Sequence, residues 1–122
     1  MNRPAPARVL AVDDSPTTRS FLRSVLAAAG YSVQTAVNGL DALEKLRAEP
    51  VALVVSDIEM PGMDGLELTR RVKQLYGLPV VLVTALDSDK DRKRGLEAGA
   101  DAYVVKSSFE GEGLLEIVRQ FV

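Results

Sequence analysis

Hydrophobic residues are arranged along the chain in short runs, each followed by a polar stretch. The runs at residues 8–14, 51–57 and 78–84 are rich in Val and Leu with little polar alternation, which is typical of strands buried on both faces of a parallel sheet. Residues 31–36 alternate between polar and apolar side chains, which indicates a half-exposed edge strand. Residues 101–106 form the last apolar run. The pattern therefore predicts five strands.

The segments that follow these strands carry apolar residues at helical spacing. Ser15-Pro16 is typical of a helix start, and Asn38-Gly39 is expected to open the second helix. The third helix is predicted to run from Gly65 to Gly77, and a charged fourth helix covers residues 87–98. The apolar positions are Thr18, Leu22, Val25, Leu26 and Ala29 in the first helix, Leu40, Leu43 and Leu46 in the second, Leu68, Val72 and Leu75, all facing inward, in the third, and Leu114, Leu115, Ile117, Val118 and Phe121 in the last.

Strands and helices thus alternate five times, as expected of consecutive βαβ units with right-handed crossovers. The predicted fold is α/β, a doubly wound five-stranded parallel sheet with five helices. Because the second strand is marked as an edge and the first, third and fourth as buried, the flavodoxin-like strand order 2-1-3-4-5 fits best. Residues 8–122 form one domain in this prediction, and the Pro/Ala-rich residues 1–7 are expected to be a disordered tail or the end of a linker.

Composition narrows the possible chemistry. The 122 residues contain no Cys and no His, and 15 basic against 17 acidic residues give a net charge of −2. The lack of His excludes a His-based triad, a zinc site with imidazole ligands and a phosphohistidine carried by this chain. The charge gives no reason to expect direct binding to nucleic acid, and no apolar stretch is long enough to predict a membrane span. We therefore expect a cytoplasmic protein that uses carboxylates, hydroxyls and lysine.

Residues with useful chemistry end four of the five predicted strands. Asp13 and Asp14 end the first, Asp57 the third, Thr84 the fourth and Lys106 the fifth. The carboxyl ends of parallel strands meet at one edge of the sheet, where such folds bind ligands. Three converging carboxylates repel one another unless a cation relieves them, and Mg²⁺ prefers oxygen ligands of this kind. The set predicts a magnesium site beside a phosphoryl group on Asp57, with Lys106 as a nearby cation and Thr84 as a hydroxyl donor.

Taken singly, each of these residues has an ordinary structural explanation, such as helix capping for Asp13 and Asp14. Together and in this order, they resemble the receiver domains of bacterial two-component signalling, similar to CheY, over the whole chain from Arg8 onward. The matching segments are Asp13-Asp14, residues 54–65 (VVSDIEMPGMDG), Thr84-Ala85 and residues 99–106 (GADAYVVK).

The resemblance implies an acceptor and a metal site. Asp57 would accept a phosphoryl group from a phosphohistidine on a partner histidine kinase or phosphotransfer protein. Asp13, through a water molecule, Asp14, Asp57 and the backbone carbonyl of Glu59 would hold Mg²⁺.

The resemblance also implies how the phosphoryl group is sensed. Thr84 and Lys106 would contact the phosphoryl oxygens, and Tyr103 would be the aromatic switch that turns inward as Thr84 moves. The output would be a changed surface on the fourth helix, fifth strand and fifth helix, read by a downstream protein or a fused kinase module. Basic residues on that fourth helix are either a solvated face or a docking patch for the partner; they are Lys90, Arg92, Lys93 and Arg94.

One departure from the family pattern is Ser107, because proline usually follows the lysine there, often after a cis bond. A cis bond between Lys106 and Ser107 would cost about 3 kcal/mol. Residues 106–109 (KSSF) also resemble receivers at the C-terminus of chemotaxis-type hybrid histidine kinases.

Two other functions have some support. A phosphatase with Asp57 as nucleophile would usually carry an aspartate two residues on, where this chain has Glu59, and would need a cap domain that does not fit in this length. A flavin-binding module would use residues 15–18 as a phosphate loop at a helix N-terminus, but Asp13 and Asp14 beside that loop would repel the phosphate. The expected function is therefore a signalling switch rather than an enzyme.

Overall fold

Strands and helices alternate along the chain in the predicted order. A computed structural model describes residues 5–106 and 111–122, so most of the expected tail, the bond between Lys106 and Ser107, and the rest of the KSSF segment lie outside the described residues. The elements are β1 (Arg8–Val12), α1 (Pro16–Ala28), β2 (Ser32–Ala36), α2 (Gly39–Ala48), β3 (Leu53–Ser56), α3 (Gly65–Leu75), β4 (Val80–Thr84), α4 (Asp89–Glu97), β5 (Ala102–Val105) and α5 (Gly111–Val118).

The five strands form one parallel sheet in the order β2-β1-β3-β4-β5, which confirms the predicted fold class and strand order. Its strands end nearly level with one another, since Val12 lies opposite Ser56 across the β1–β3 pair and Thr84 lies opposite Val105 across the β4–β5 pair. The residues that follow these ends therefore meet at a single edge of the sheet.

Apolar side chains cover both faces of the sheet. In β1, Leu10 and Val12 belong to the core between the sheet and helices α2 and α3, whereas Val9 and Ala11 belong to the core that α1 and α5 cover. All four side chains are fully buried. Burial on both faces explains why this strand is a continuous apolar run in the sequence.

Four helices begin at side chains that cap them. Ser15, Asn38, Asp64 and Ser88 each accept a hydrogen bond from the backbone N–H three residues later. Such caps satisfy donors that have no partner inside the helix. They also fix the loops that leave the carboxyl edge of the sheet, where the chemically useful residues lie.

The predicted inward position of Leu75 is wrong, because this side chain is 64% exposed. The buried face of α3 is formed by Leu66, Leu68, Thr69 and Val72. Leu75 lies at the margin of that face in the last turn, where it borders an open groove between α2 and α3.

Two further residues that the sequence placed on the apolar faces of helices lie elsewhere in the structure. Leu40 lines the same open groove and is 62% exposed. Phe121 lies beyond the end of α5 at Val118, although it still packs against the α1 and α5 core. Among the residues that the structure describes, no helix combines the length and apolar character needed to cross a membrane.

Candidate functional site

Two carboxylates leave neighbouring strands side by side. The N–H of Asp57, which follows β3, donates to the Val12 carbonyl at the end of β1 at 3.0 Å. Asp13 and Asp57 are both buried, and Asp14 is exposed. Carboxylate oxygens of these three residues lie within 4.8 Å of one another. The structure thus brings together the acidic cluster that was named from the sequence.

Lys106 lies between the two buried carboxylates. Its Nζ is 3.0 Å from Asp13 Oδ2 and 3.1 Å from Asp57 Oδ2. Burial alone would lower the pKa of Lys106, but the hydrogen bonds and negative charges of Asp13 and Asp57 outweigh it and raise this pKa. The lysine is therefore a permanent cation that offsets part of the negative charge at this edge of the sheet.

The orientation of each buried carboxylate is fixed at both oxygens. Asp13 Oδ1 accepts from the Ser15 N–H at 2.9 Å, and Asp57 Oδ1 accepts from the Ile58 N–H at 2.7 Å. Their Oδ2 atoms both accept from Lys106. Because one oxygen is held by the loop and the other by the lysine, neither carboxylate can rotate without losing a charge-assisted bond.

The burial of the Asp13 carboxylate is expected to make the free energy of unfolding depend on pH. Burial raises the pKa of Asp13 above 3.8, although the Ser15 N–H and Lys106 act in the opposite direction. The folded state then binds this proton more tightly than the unfolded state, so the free energy of unfolding falls as pH rises through the interval between 3.8 and the raised pKa. Without divalent ions, Asp13→Asn should therefore be more stable than the parent at pH 7, and the difference should vanish below pH 3.8.

Urea unfolding at several pH values measures this difference. Asp14→Asn is the matched control, because it removes the same charge from the exposed neighbour and should change stability little. A variant at Asp13 that is less stable than the parent at pH 7, or a gain that persists below pH 3.8, would contradict the burial argument.

Thr84 is placed near Lys106 by the sheet register, and Glu59 follows Asp57 closely along the chain. Thr84 is the last residue of β4 and is fully buried, and its register partner Val105 directly precedes Lys106. The Thr84 hydroxyl oxygen accepts from the Leu86 N–H at 3.3 Å. Glu59 is exposed in the loop two residues after Asp57.

Tyr103 points toward the loop between β4 and α4. Its hydroxyl donates to the Leu86 carbonyl at 2.7 Å, and its ring packs against the core on the α2 and α3 side of the sheet. Burial, together with the charge of Asp91, raises the pKa of Tyr103, so the phenol remains a hydrogen-bond donor at neutral pH. The side chain joins β5 to the loop that begins at Thr84.

Comparison with known proteins identifies the family, because the profile of the response regulator receiver domain matches residues 9–119. The chain belongs to this family. This receiver domain is 35% identical to the chemotaxis protein CheY4 of Vibrio cholerae, with a TM-score of 0.88 over 97% of this chain and 100% of that one. It is 38% identical to the response regulator TrrA of Thermotoga maritima in complex with Mg²⁺ and BeF, with a TM-score of 0.86 over 95% of this chain and 99% of that one.

A longer relative is the gliding motility regulatory protein of Myxococcus xanthus, which is 40% identical over 114 residues. That match covers 91% of the receiver domain but only 15% of the length of the relative. The resemblance noted from the sequence is confirmed: the chain is a receiver domain of two-component signalling.

Two residues that sequence analysis did not assign to the site shape the receiver's acidic cluster. A Cβ added at Gly65, the first residue of α3, would lie 1.9 Å from the Asp57 carbonyl oxygen. The Arg19 guanidinium donates to the Asp13 carbonyl at 2.8 Å. The sequence signals for Gly65 are its place at the end of the matching segment 54–65 and a poor helix former at the first helical position. Arg19 gives none, since its spacing also suits a solvated helix face.

The acidic cluster fits a divalent cation. Three carboxylates supply the hard oxygen ligands that Mg²⁺ prefers, and their mutual spacing allows them to share one ion. Asp14 is exposed, so the cluster is open to solvent on one side, and an ion could keep several of its waters there. Lys106 alone balances only part of the charge of three carboxylates, so a divalent ion would relieve the remaining repulsion.

Proposed function

We propose that Asp57 is the phosphoacceptor of this receiver domain. A carboxylate oxygen of Asp57 attacks the phosphorus of a phosphohistidine on a partner kinase or phosphotransfer protein. The new O–P bond forms as the P–N bond breaks, and the imidazole leaves with the electron pair and takes up a proton from solvent. The observation that carries this proposal is Lys106, whose Nζ lies 3.1 Å from Asp57 Oδ2 at the mouth of the sheet.

Asp13, Asp14, Asp57 and the backbone carbonyl of Glu59 would hold Mg²⁺ in this proposal, with Asp13 acting through a water molecule. A bound Mg²⁺ neutralises charge on phosphoryl oxygens during transfer. The cluster of three carboxylates supports the assignment, and Glu59 lies two residues after Asp57 in the same loop.

Lys106 and Thr84 would bind the phosphoryl oxygens of the modified Asp57. Lys106 already donates to both buried carboxylates, so it can transfer a hydrogen bond to the incoming group without a large movement. The Thr84 hydroxyl accepts from Leu86 and keeps its own proton to donate. A phosphoryl group that recruits this proton would draw Thr84 and the loop after it toward Asp57.

Tyr103 would transmit this movement to the surface formed by α4, β5 and α5. Its hydroxyl bond to the Leu86 carbonyl links the ring to the loop that Thr84 begins. A phosphoryl group whose contacts favour one position of the loop thereby favours one position of the ring. A downstream protein or a kinase module of the same polypeptide would read the result.

The proposal also covers the polypeptide that contains the receiver and its location in the cell. The 15% share of the Myxococcus relative that it matches supports a receiver inside a longer signalling protein, with a C-terminal receiver of a chemotaxis-type hybrid kinase as the specific form. Phosphohistidine donors draw on ATP, so the proposal places the receiver in the cytoplasm.

Incubation with acetyl phosphate and Mg²⁺ tests the function. We expect the intact mass to rise by one phosphoryl group, the rise to disappear with EDTA, and peptide mapping to locate the modified residue at Asp57. A mass that never rises under these conditions, or a modification that maps away from Asp57, would remove the basis for the proposal.

The phosphorylated receiver should lose its phosphoryl group slowly. Leu86 lies two residues after Thr84, and by family resemblance this position flanks the water that hydrolyses the phosphoryl group. An apolar side chain offers that water no hydrogen bond. Leu86→Glu should hydrolyse about tenfold faster, less than the roughly 10²-fold or more of a well-positioned general base.

The decay of the phosphorylated mass after removal of acetyl phosphate measures this rate. Leu86→Met is the matched control, because it keeps an apolar side chain and the backbone bonds to Thr84 and Tyr103. If Leu86→Glu decayed no faster than Leu86→Met, the side chain at this position would not set the lifetime.

A further inference from the structure

Helix α4 contains a recess shaped to the ring of Tyr103. A Cβ added at Gly95 would lie 2.8 Å from Tyr103 Cδ2 and 3.0 Å from Cε2. Glycine is disfavoured inside a helix, and the left-handed backbone found at Gly30, Gly62, Gly77 and Gly99 does not occur here. The close approach of the ring therefore explains the glycine better than the backbone does.

Arg92 covers the ring from a neighbouring position on the same helix. Its guanidinium carbon is 5.4 Å from the centroid of the Tyr103 ring. Arg92 and Gly95 are three residues apart, a spacing that places them on one face of α4. A guanidinium at this distance over an aromatic ring is attracted to its negative face. Gly95 leaves room for the ring because it has no side chain, and Arg92 attracts the ring through its charge.

The clamped ring is connected to the acidic site by two hydrogen bonds. The Tyr103 hydroxyl donates to the Leu86 carbonyl at 2.7 Å, and the Leu86 N–H donates to the Thr84 hydroxyl oxygen at 3.3 Å. Movement of the ring would break the first bond and release the loop that Thr84 begins. The contacts of Arg92 and Gly95 with the Tyr103 ring are thus linked to the position of Thr84 at the edge of the sheet.

We propose that Arg92 and Gly95 form a clamp that holds Tyr103 in its inward position, with Arg92 as a positioning residue for the switch. The signalling consequence rests on the proposed function of Asp57. Because coupling between two sites is reciprocal, a clamp that favours the inward ring also favours the loop position that accompanies phosphorylation. Loss of the clamp would therefore shift the loop away from that position.

Fluorine NMR of the receiver labelled with 3-fluorotyrosine tests the clamp without a phosphodonor. The chain has three tyrosines and no tryptophan, and Tyr103→Phe assigns the signal of interest. Arg92→Ala should reduce the ratio of inward to outward ring about two- to fivefold, the effect expected of a cation over an aromatic ring at an exposed site. Arg92→Lys should retain part of the effect.

Lys93→Ala is the matched control. It removes the same charge from the adjacent position of α4, where the side chain is 78% exposed and pairs with Glu97. Gly95→Ala is a second, independent perturbation, because its methyl group should displace the ring even though alanine favours the helix. The proposal is overturned if the Tyr103 signal of Arg92→Ala matches that of Lys93→Ala, or if Gly95→Ala leaves the signal of the parent unchanged.

Labelling by acetyl phosphate separates the clamp from the proposed function. If the clamp poises the site, Arg92→Ala should be labelled about two- to fivefold more slowly than Lys93→Ala. Equal labelling rates together with a shifted ring would overturn the coupling to the acidic site. A parent that takes no label would refute the function of Asp57, while the ring measurement would still decide whether the clamp exists.

Discussion

The Asp57→Asn variant should take up no phosphoryl group from acetyl phosphate, while keeping the fold of the parent. An amide nitrogen is not a nucleophile under these conditions, so no acyl phosphate can form. Asparagine has nearly the shape of aspartate and can still accept the 2.7 Å bond from the Ile58 N–H. Intact mass after incubation with Mg²⁺ measures labelling, and urea unfolding shows that the variant is folded.

Asp14→Asn provides the control for charge. It removes a carboxylate from the same cluster, but the residue is exposed and does not bond to Lys106 in the described structure. We expect its labelling to be slower and to recover at higher Mg²⁺, because the variant would lose ion affinity and not the acceptor. Mg²⁺-dependent label that persisted in Asp57→Asn at the parent's rate would assign the acceptor role to another residue.

The residues that form the site could be predicted from the sequence because the hydrophobic pattern shows which strands are buried. A run such as residues 51–57 has no polar alternation, which favours a strand covered on both faces, and it stops at Asp57. Once the first, third and fourth strands are central, their carboxyl ends must share an edge. Strand order places Lys106 at the same edge as Asp13 and Asp57, and its long side chain spans the end of β4 to reach them.

Contacts between distant segments could not be predicted in the same way. Asp101 accepts from the Val80 N–H and from Lys73, each at 2.8 Å, and so ties the α3–β4 and α4–β5 connections together. Nothing local in the sequence distinguishes this aspartate from an ordinary turn residue. The misplaced Leu75 has a related cause: helical periodicity gives the angle of a side chain around its helix but not where the core ends along the helix.

Gly65→Ala should destabilise the receiver strongly. The added methyl group would meet the Asp57 carbonyl oxygen at 1.9 Å and the Ile58 Cα at 2.7 Å, and backbone atoms cannot rotate away as a side chain can. The 2.8 Å bond from the Gly65 N–H to the Ile58 carbonyl holds the two segments together, so α3 must shift away from Asp57. We expect a loss of about 3 kcal/mol in the free energy of unfolding, the upper end of typical overpacking costs.

Gly113→Ala is the matched control, because the same substitution in another helix is expected to change the free energy of unfolding in the opposite direction. No atom lies within 4 Å of a Cβ added at Gly113 in α5, so alanine should raise the free energy of unfolding by about 0.5 to 1 kcal/mol through helix propensity alone. Urea unfolding measures both variants. If Gly65→Ala were as stable as the parent, α3 could retreat from Asp57 without cost, and the close packing of the helix start against the backbone of Asp57 would not matter for stability.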